Sequence, residues 1–302
     1  MAITSLQLTT ASTAASVEMG VKIVGLKDFA TSFQGNSATE GTAIVVPVFA
    51  SGTDAAAFAA GSNDYQNGSE NGVSGAKVTL DNHLVKSVNY SDMDFVENSA
   101  LGFWENSGKV ISYQLAKAAV KSVFAGLNKT TCTTNETVFT LANAKAKDLV
   151  ANLTAVASNA DIDVSEAVLV LSPTYFAAVL SVLDSNVYGG SEAIRTGRIP
   201  NLFGFKSVQM STQLFAGAGE NLEGLIIGGD ALALASRAVI VNSPQSYEEV
   251  GSAIDPLSGI AITFRRSCNV AAGQNFLAGE ILFGSKLLDE AKIVRLVSAA
   301  TA

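Results

Sequence analysis

Ala167-Val168-Leu169-Val170-Leu171-Ser172-Pro173-Thr174-Tyr175-Phe176-Ala177-Ala178-Val179-Leu180-Ser181-Val182-Leu183 is the best-defined local pattern in the chain. Its first five residues form an unbroken apolar run, which suits a central strand. Ser172 is a favoured helix N-cap, and Pro173 is tolerated at the first helical position. Phe176, Val179, Leu180 and Leu183 then follow at i, i+3, i+4 and i+7, the spacing of a buried helical stripe. The stretch therefore predicts a strand running directly into a helix.

Downstream, Gly197-Arg198-Ile199-Pro200-Asn201-Leu202-Phe203-Gly204-Phe205-Lys206-Ser207-Val208 places paired glycines around apolar residues, a turn feeding a strand. Leu225-Ile226-Ile227 reads as another short strand. Gly228-Gly229-Asp230 follows, and Asp230 is read as the cap of a short helix from Ala231 to about Ser236. The rest is β-rich. Ile260, Ile262 and Phe264 alternate with Ala261, Thr263 and Arg265, and Ile293-Val294 and Leu296-Val297 close the chain.

Upstream, Thr131 to Glu136 is polar and loop-like, and a helix fits Leu141 to Ser158 with Leu149, Leu153 and Val156 inward. A longer helix is read over Asn98 to Leu127, where Ile111, Leu115, Ala119, Val123 and Leu127 recur every fourth position after Leu101 and Trp104. About thirty residues at 1.5 Å rise would span roughly 45 Å. Gly108 is a weak point within it.

Further upstream, Ile44-Val45-Val46-Pro47-Val48-Phe49 reads as a strand whose Pro47 suits an edge or a twisted ribbon. Val78, Leu80, Leu84, Val88 and Tyr90 share one parity, and Lys77, Thr79, Asp81, His83, Ser87 and Asn89 the other, with Lys86 and Val85 as exceptions. This period-two run is the expected partner of Ile44–Phe49 in a long ribbon. Ala50 to Ala76, rich in Gly, Ser, Asn and Ala, would form its tip. An isolated hairpin is marginally stable, so the ribbon needs a surface to lie on, and another subunit is the expected supplier. Residues 1 to about 35 read as an extended arm, ordered where it lies on something else.

Composition narrows the function. The chain has 302 residues, 48% of them hydrophobic and 15% charged, which argues against wholesale disorder. Its most apolar stretch, Val168 to Leu183, is broken by Pro173 and is too short to span a membrane. Nineteen basic against 27 acidic residues give a net charge of −8, unlike a typical nucleic-acid binder. The start lacks the basic and apolar blocks of a secretory signal, so synthesis in the cytoplasm is expected.

The inventory of chemical groups is thin. A single histidine, His83, excludes clustered-histidine metal sites and is read as an exposed strand residue. Cys132 and Cys268 lack redox or metal spacing and are expected to be unbridged. Gly217-Ala218-Gly219 has neither the third glycine nor the setting of a dinucleotide loop, and no phosphate-binding P-loop is present. Asp92-Met93-Asp94 and Asp161-Ile162-Asp163 lack the calcium-loop pattern and read as solvated acids. Arg265-Arg266 is a small basic spot expected to pair with an acid on this chain or a neighbour. No catalytic, cofactor-binding or metal-binding residue is assigned, and no cofactor is expected.

The order of elements resembles that of tailed-phage major capsid proteins of the Hong Kong 97 type. Val168–Leu183 looks like that family's strand, Ser-Pro and helix. Gly197–Val208 looks like its Gly-x-Ile and Gly-x-x-Val turn and strand. Leu225–Val241 looks like its strand, Gly-Asp, short helix and strand, and Ile260–Phe264 and the last strand look like its returning strands. The resemblance implies an α+β fold divided into an arm (1–35), an extended loop (36–92), a peripheral domain with a long spine helix (93–130 and 251–302) and an axial domain (131–250). It implies a non-enzymatic shell protein of a phage virion, made in the host cytoplasm and assembling with copies of itself into hexamers and pentamers. Packaged DNA would be bound without sequence specificity, with no membrane involved. Separate scaffolding, portal and decoration proteins would be further partners. The sequence shows no long charged scaffolding segment at its start, so scaffolding is expected to be separate or already removed. Some such shells crosslink a loop Lys to an Asn; here Gly61 to Gly72 has no Lys, and Lys77 and Lys86 lie towards the base, so no crosslink is expected. The alternatives are a cellular nanocompartment (encapsulin-like) shell of the same fold and an enzyme with a lone-acid or backbone-based site.

Overall fold

The structure, a computed structural model, describes residues 30–32, 43–49, 73–91, 93–94, 102–133, 135–139, 146–180, 198–200, 204–214, 221–239, 249–254, 260–269 and 273–298. Two six-stranded sheets and a two-stranded ribbon make up its β-structure.

The second sheet grows from the Val168 stretch. Strand β6 (Val168–Leu171) lies between β8 (Ser207–Met210), parallel to it, and β9 (Leu222–Ile227), antiparallel. β7 (Arg198–Pro200), β5 (Glu136–Val138) and β14 (Ile293–Val297) complete it. All four residues of β6 are buried, as an unbroken apolar run requires. Leu169 and Leu171 pack on one side with Leu153, Phe176 and Val179 of helices α2 (Ala146–Asn159) and α3 (Pro173–Leu180). Val168 and Val170 join the larger core on the other side. Pro173 opens α3 as expected. Ser172, however, gives its hydroxyl to Glu223 Oε2 at 2.7 Å, tying the helix start to β9.

The first sheet is built on β13 (Gln274–Leu287), a 14-residue strand. One edge of β13 pairs with β4 (Asn82–Ser91). The other pairs first with β12 (Ala261–Asn269) and then with β10 (Leu232–Arg237), end to end. The Ser236 hydroxyl closes that junction, donating to Leu282 O and accepting from Ala261 N. β11 (Glu249–Ile254) extends the sheet beyond β12, and β1 (Ala30–Ser32) lies parallel to β10.

Helix α1 (Phe103–Ala125) covers one face of this sheet. Ile111, Leu115, Ala119, Val123 and Leu127 are all buried, as the four-residue recurrence requires. The helix starts later than the sequence suggests, because Gly102 stands at its N-cap in the left-handed region, with φ 69°. Its 23 residues span about 35 Å rather than 45.

Two other expectations are corrected. Where a short helix was expected from Ala231 to about Ser236, Leu232–Arg237 is a strand. Gly228 to Asp230 forms a turn with Asp230 at φ 60°, and Leu232 and Leu234 then point to the α1 core while Ala233 and Ala235 point away. The partner of β2 (Ala43–Phe49) is β3 (Val73–Thr79), whereas Asn82–Ser91 turns off to join β13. The period-two run holds through both segments but breaks at Leu80-Asp81. Strand pairs β9/β10 and β13/β14 both pass between the sheets here, bound together by Gly228 N to Lys292 O and Leu288 N to Ala231 O. Strand β10 therefore belongs to the first sheet and β14 to the second.

A candidate assembly surface

Residues of β13 alternate between two faces. Leu277, Ile281 and Phe283 join the α1 core, while Glu280, Leu282 and Gly284 face away from it. On this second face lies the base of the ribbon. Ile44, Val46, Val78 and Leu80 pack against Ala233, Ala235, Leu282 and Leu288. The ribbon base is thus buried on its own subunit, where the sequence suggested a neighbour. The approach is close: a Cβ on Gly284 would lie 1.9 Å from Thr79 O. Gly279 plays the matching part on the opposite face, where a Cβ would meet Ile111 Cγ2 at 2.5 Å.

Beside the ribbon base lies a polar chain. Arg265 of β12 donates through Nε and Nη2 to Glu280 Oε1, and His83 Nε2 stands 3.0 Å from Glu280 Oε2. Glu280 is 5% exposed, and these partners offset the cost of burying its carboxylate. Strand register puts exposed Val85 opposite Glu280, and Val250 opposite Arg265. Ile254, also exposed, lies four residues beyond Val250 on the same face of β11. A neutralised, hydrogen-bonded charge pair among exposed apolar residues suits contact between proteins, where desolvated apolar groups and arginine dominate binding.

The structure brings together groups that the sequence left separate. Arg265 pairs with an acid of its own chain. Arg266 lies over the Trp104 ring at 5.2 Å, and Trp104 packs edge-on against Tyr90 and Phe103. His83 is half exposed but engaged by Glu280, a contact between positions 197 residues apart with no local sequence signal. Cys132 is buried and Cys268 exposed, and no disulfide joins them.

The acidic pairs close local turns. Asp163 accepts from the Ser165 hydroxyl and backbone N–H, which together hold its carboxyl below the usual range. Asp94 is lowered likewise by the backbone N–H and hydroxyl of Ser91. Asp161 sits at φ 56°. Among the described residues no cluster of three metal-ligating side chains occurs, and no helix is long and apolar enough to cross a membrane. Asp92, Gly217–Gly219 and the ribbon tip, Gly61–Gly72, lie outside the described residues. Lys77 and Lys86 are both exposed.

At the level of sequence, no family profile and no curated protein matches this chain. Solved structures do. The capsid structure of cyanophage P-SCSP1u aligns with TM-score 0.51 and 15% identity, over 91% of this chain and 88% of its own. A virus-like particle from Pyrococcus furiosus aligns with TM-score 0.53 and 11% identity, over 95% and 98%. A structure from Mycobacterium phage Bobi aligns with TM-score 0.55 and 12% identity, over 92% and 91%. The fold is that of virus-type shell proteins. More particularly, this α+β chain has the Hong Kong 97-like fold of phage major capsid proteins.

Proposed function

We propose that this chain is the major capsid protein of a tailed phage, self-assembling through hexamers and pentamers into an icosahedral head around double-stranded DNA. The observation that carries this reading is likeness over nine-tenths or more of this chain, matched by a similar share of each shell structure. The role read from this likeness is structural. The arm (1–35), extended loop (36–92), peripheral domain (93–130 and 251–302) and axial domain (131–250) divide the labour. The face carrying Val85, Val250 and Ile254 is a contact between subunits. Scaffolding, portal and decoration proteins are separate partners, and synthesis is cytoplasmic, before incorporation into the virion.

Negative-stain microscopy with sedimentation of the purified chain tests this: closed isometric shells are expected, and a protein that remains monomeric at high concentration refutes it. The likeness to the Pyrococcus particle favours a second reading, a nanocompartment shell enclosing protein. Nucleic acid in particles from the native source separates the two: DNA-filled particles support the phage head, and particles holding only protein support the nanocompartment.

A further inference from the structure

The protein as a whole is acidic, with a net charge of −8, but one face of α1 is not. Along Phe103–Ala125 there are three lysines and one acid. Lys109 is paired with that acid, Glu105, at 2.6 Å. Lys117 and Lys121 are exposed, stand one turn apart and have no ion pair among the described residues. Four residues of helix separate them by about 6 Å along the axis. They line an open groove of about 560 Å³ with Gln114 and Ala118 of α1. Its far wall is Thr212, Gln213 and Leu214, just beyond β8.

The walls decide the kind of ligand. Only Ala118 and Leu214 are apolar, so the groove offers little to the side chains of a docking peptide. Gln114, Gln213 and Thr212 can donate to anionic oxygens beside the two ammonium groups. Lysine, amide and hydroxyl contacts to phosphate oxygens make up most protein–DNA hydrogen bonds and carry no sequence information. A duplex bears one charge per about 1.7 Å of axis, so both lysines can face phosphates at once.

We propose that the Lys117–Lys121 groove of α1 is the site where this protein contacts the phosphate backbone of double-stranded DNA. The proposal rests on the reading of the chain as a DNA-enclosing shell and gives that reading a surface. It places α1's outer face towards the lumen and makes the contact blind to base sequence.

The test uses the full-length, unassembled subunit and a labelled 20-base-pair duplex of arbitrary sequence, read by fluorescence anisotropy at 50 and 200 mM salt. Two phosphate contacts correspond to a slope of about −1.8 in log affinity against log salt. The wild-type affinity should therefore fall about twelvefold more across that range than the affinity of Lys117→Gln/Lys121→Gln. Lys117→Arg/Lys121→Arg should restore the wild-type slope. Lys77→Gln/Lys86→Gln removes the same charge elsewhere and should leave the slope unchanged. Equal losses in both glutamine pairs, or none in either, would overturn the assignment. So would tighter binding of oligoglutamate than of duplex with the same lysine dependence, which would make the occupant an acidic polypeptide. Shell formation is scored separately by sedimentation. Shells formed by a wild-type protein that ignores DNA sink this inference alone, whereas a wild type that forms no shells sinks the function on which it rests.

Discussion

Replacing Gly284 by alanine should loosen the ribbon base. The added Cβ would sit 1.9 Å from Thr79 O, 2.7 Å from Thr79 C and 3.3 Å from Leu80 Cα. Carbon and oxygen in ordinary contact are about 3.3 Å apart or more, so β3 must rise by about 1.4 Å. The obstacle is backbone on both sides, and no rotamer change relieves it. Ile44, Val46, Val78 and Leu80 are each at most 8% exposed, and seating them contributes roughly 1.5–3 kcal/mol apiece. A gap of 0.5–1 Å forfeits about a quarter to a half of a contact's attraction. On the four side chains that is about 1.5–6 kcal/mol. Alanine's smaller unfolded-state entropy returns about 0.4–1 kcal/mol, leaving a net loss of about 1–5 kcal/mol. Gly75→Ala is the control, because its Cβ meets only Val45 Cγ1 at 3.0 Å, on a side chain 65% exposed and able to turn away. Urea unfolding of the unassembled subunit should show a lower midpoint for Gly284→Ala and an unchanged or slightly higher one for Gly75→Ala. A Gly284→Ala protein as stable as the wild type would mean that the ribbon does not cross β13 there.

Ile111→Asp should prevent folding, since Ile111 is fully buried under α1 and an unpaired charge there costs several kcal/mol, comparable to a whole domain's margin; recovery of soluble, helical protein would place that face in solvent. Glu136→Ala should lower the thermal midpoint, with a loss of about 1–3 kcal/mol, because Arg295 is buried and donates Nη1 to Glu136 Oε2 at 2.8 Å; an unchanged midpoint would show the pair contributes nothing. In the native subunit a thiol reagent should modify Cys268 at once and Cys132 only after unfolding, as mass spectrometry of the labelled peptides would show; simultaneous labelling would contradict the burial of Cys132.

The strands that could be read from sequence are those whose pattern is local. Val168–Leu171 is apolar on both faces because both are covered, and the alternation through Val78–Tyr90 reports two strands in succession, with Val78 and Leu80 turned to the ribbon base and Leu84, Val88 and Tyr90 to the α1 core. The errors fall where long-range packing decides. Leu232-Ala233-Leu234-Ala235 is compatible with a helix by propensity, and Asp230 suits an N-cap as well as a left-handed turn. What selects the strand is that Leu232 and Leu234 fill the α1 core while the two alanines leave room for the ribbon. The long strand β13 carries no local announcement, because Gly279 and Gly284 interrupt its apolar pattern. The polar chain on its far face is equally invisible, since His83, Arg265 and Glu280 meet only once three strands are in register.

Those two glycines explain why the first sheet has two different faces. They lie five positions apart on one strand, an odd number, so they open opposite sides. Gly279 lets α1 settle onto one side, where Ile111, Leu115 and Phe264 would otherwise collide with a side chain. Gly284 lets the ribbon cross on the other side, one end further along. The described ribbon base therefore covers the β10 end of that face, over Ala233, Ala235 and Leu282. The remaining surface, across β4, β13, β12 and β11, keeps Val85, Val250 and Ile254 exposed around the Arg265–Glu280–His83 chain. A monomer that had to be stable alone could cover that surface with a longer ribbon base. In the proposed shell role this face is left open with the buried Glu280 carboxylate already paired to Arg265 and His83, so that a neighbour need bring only apolar contacts there and supply no countercharge to it.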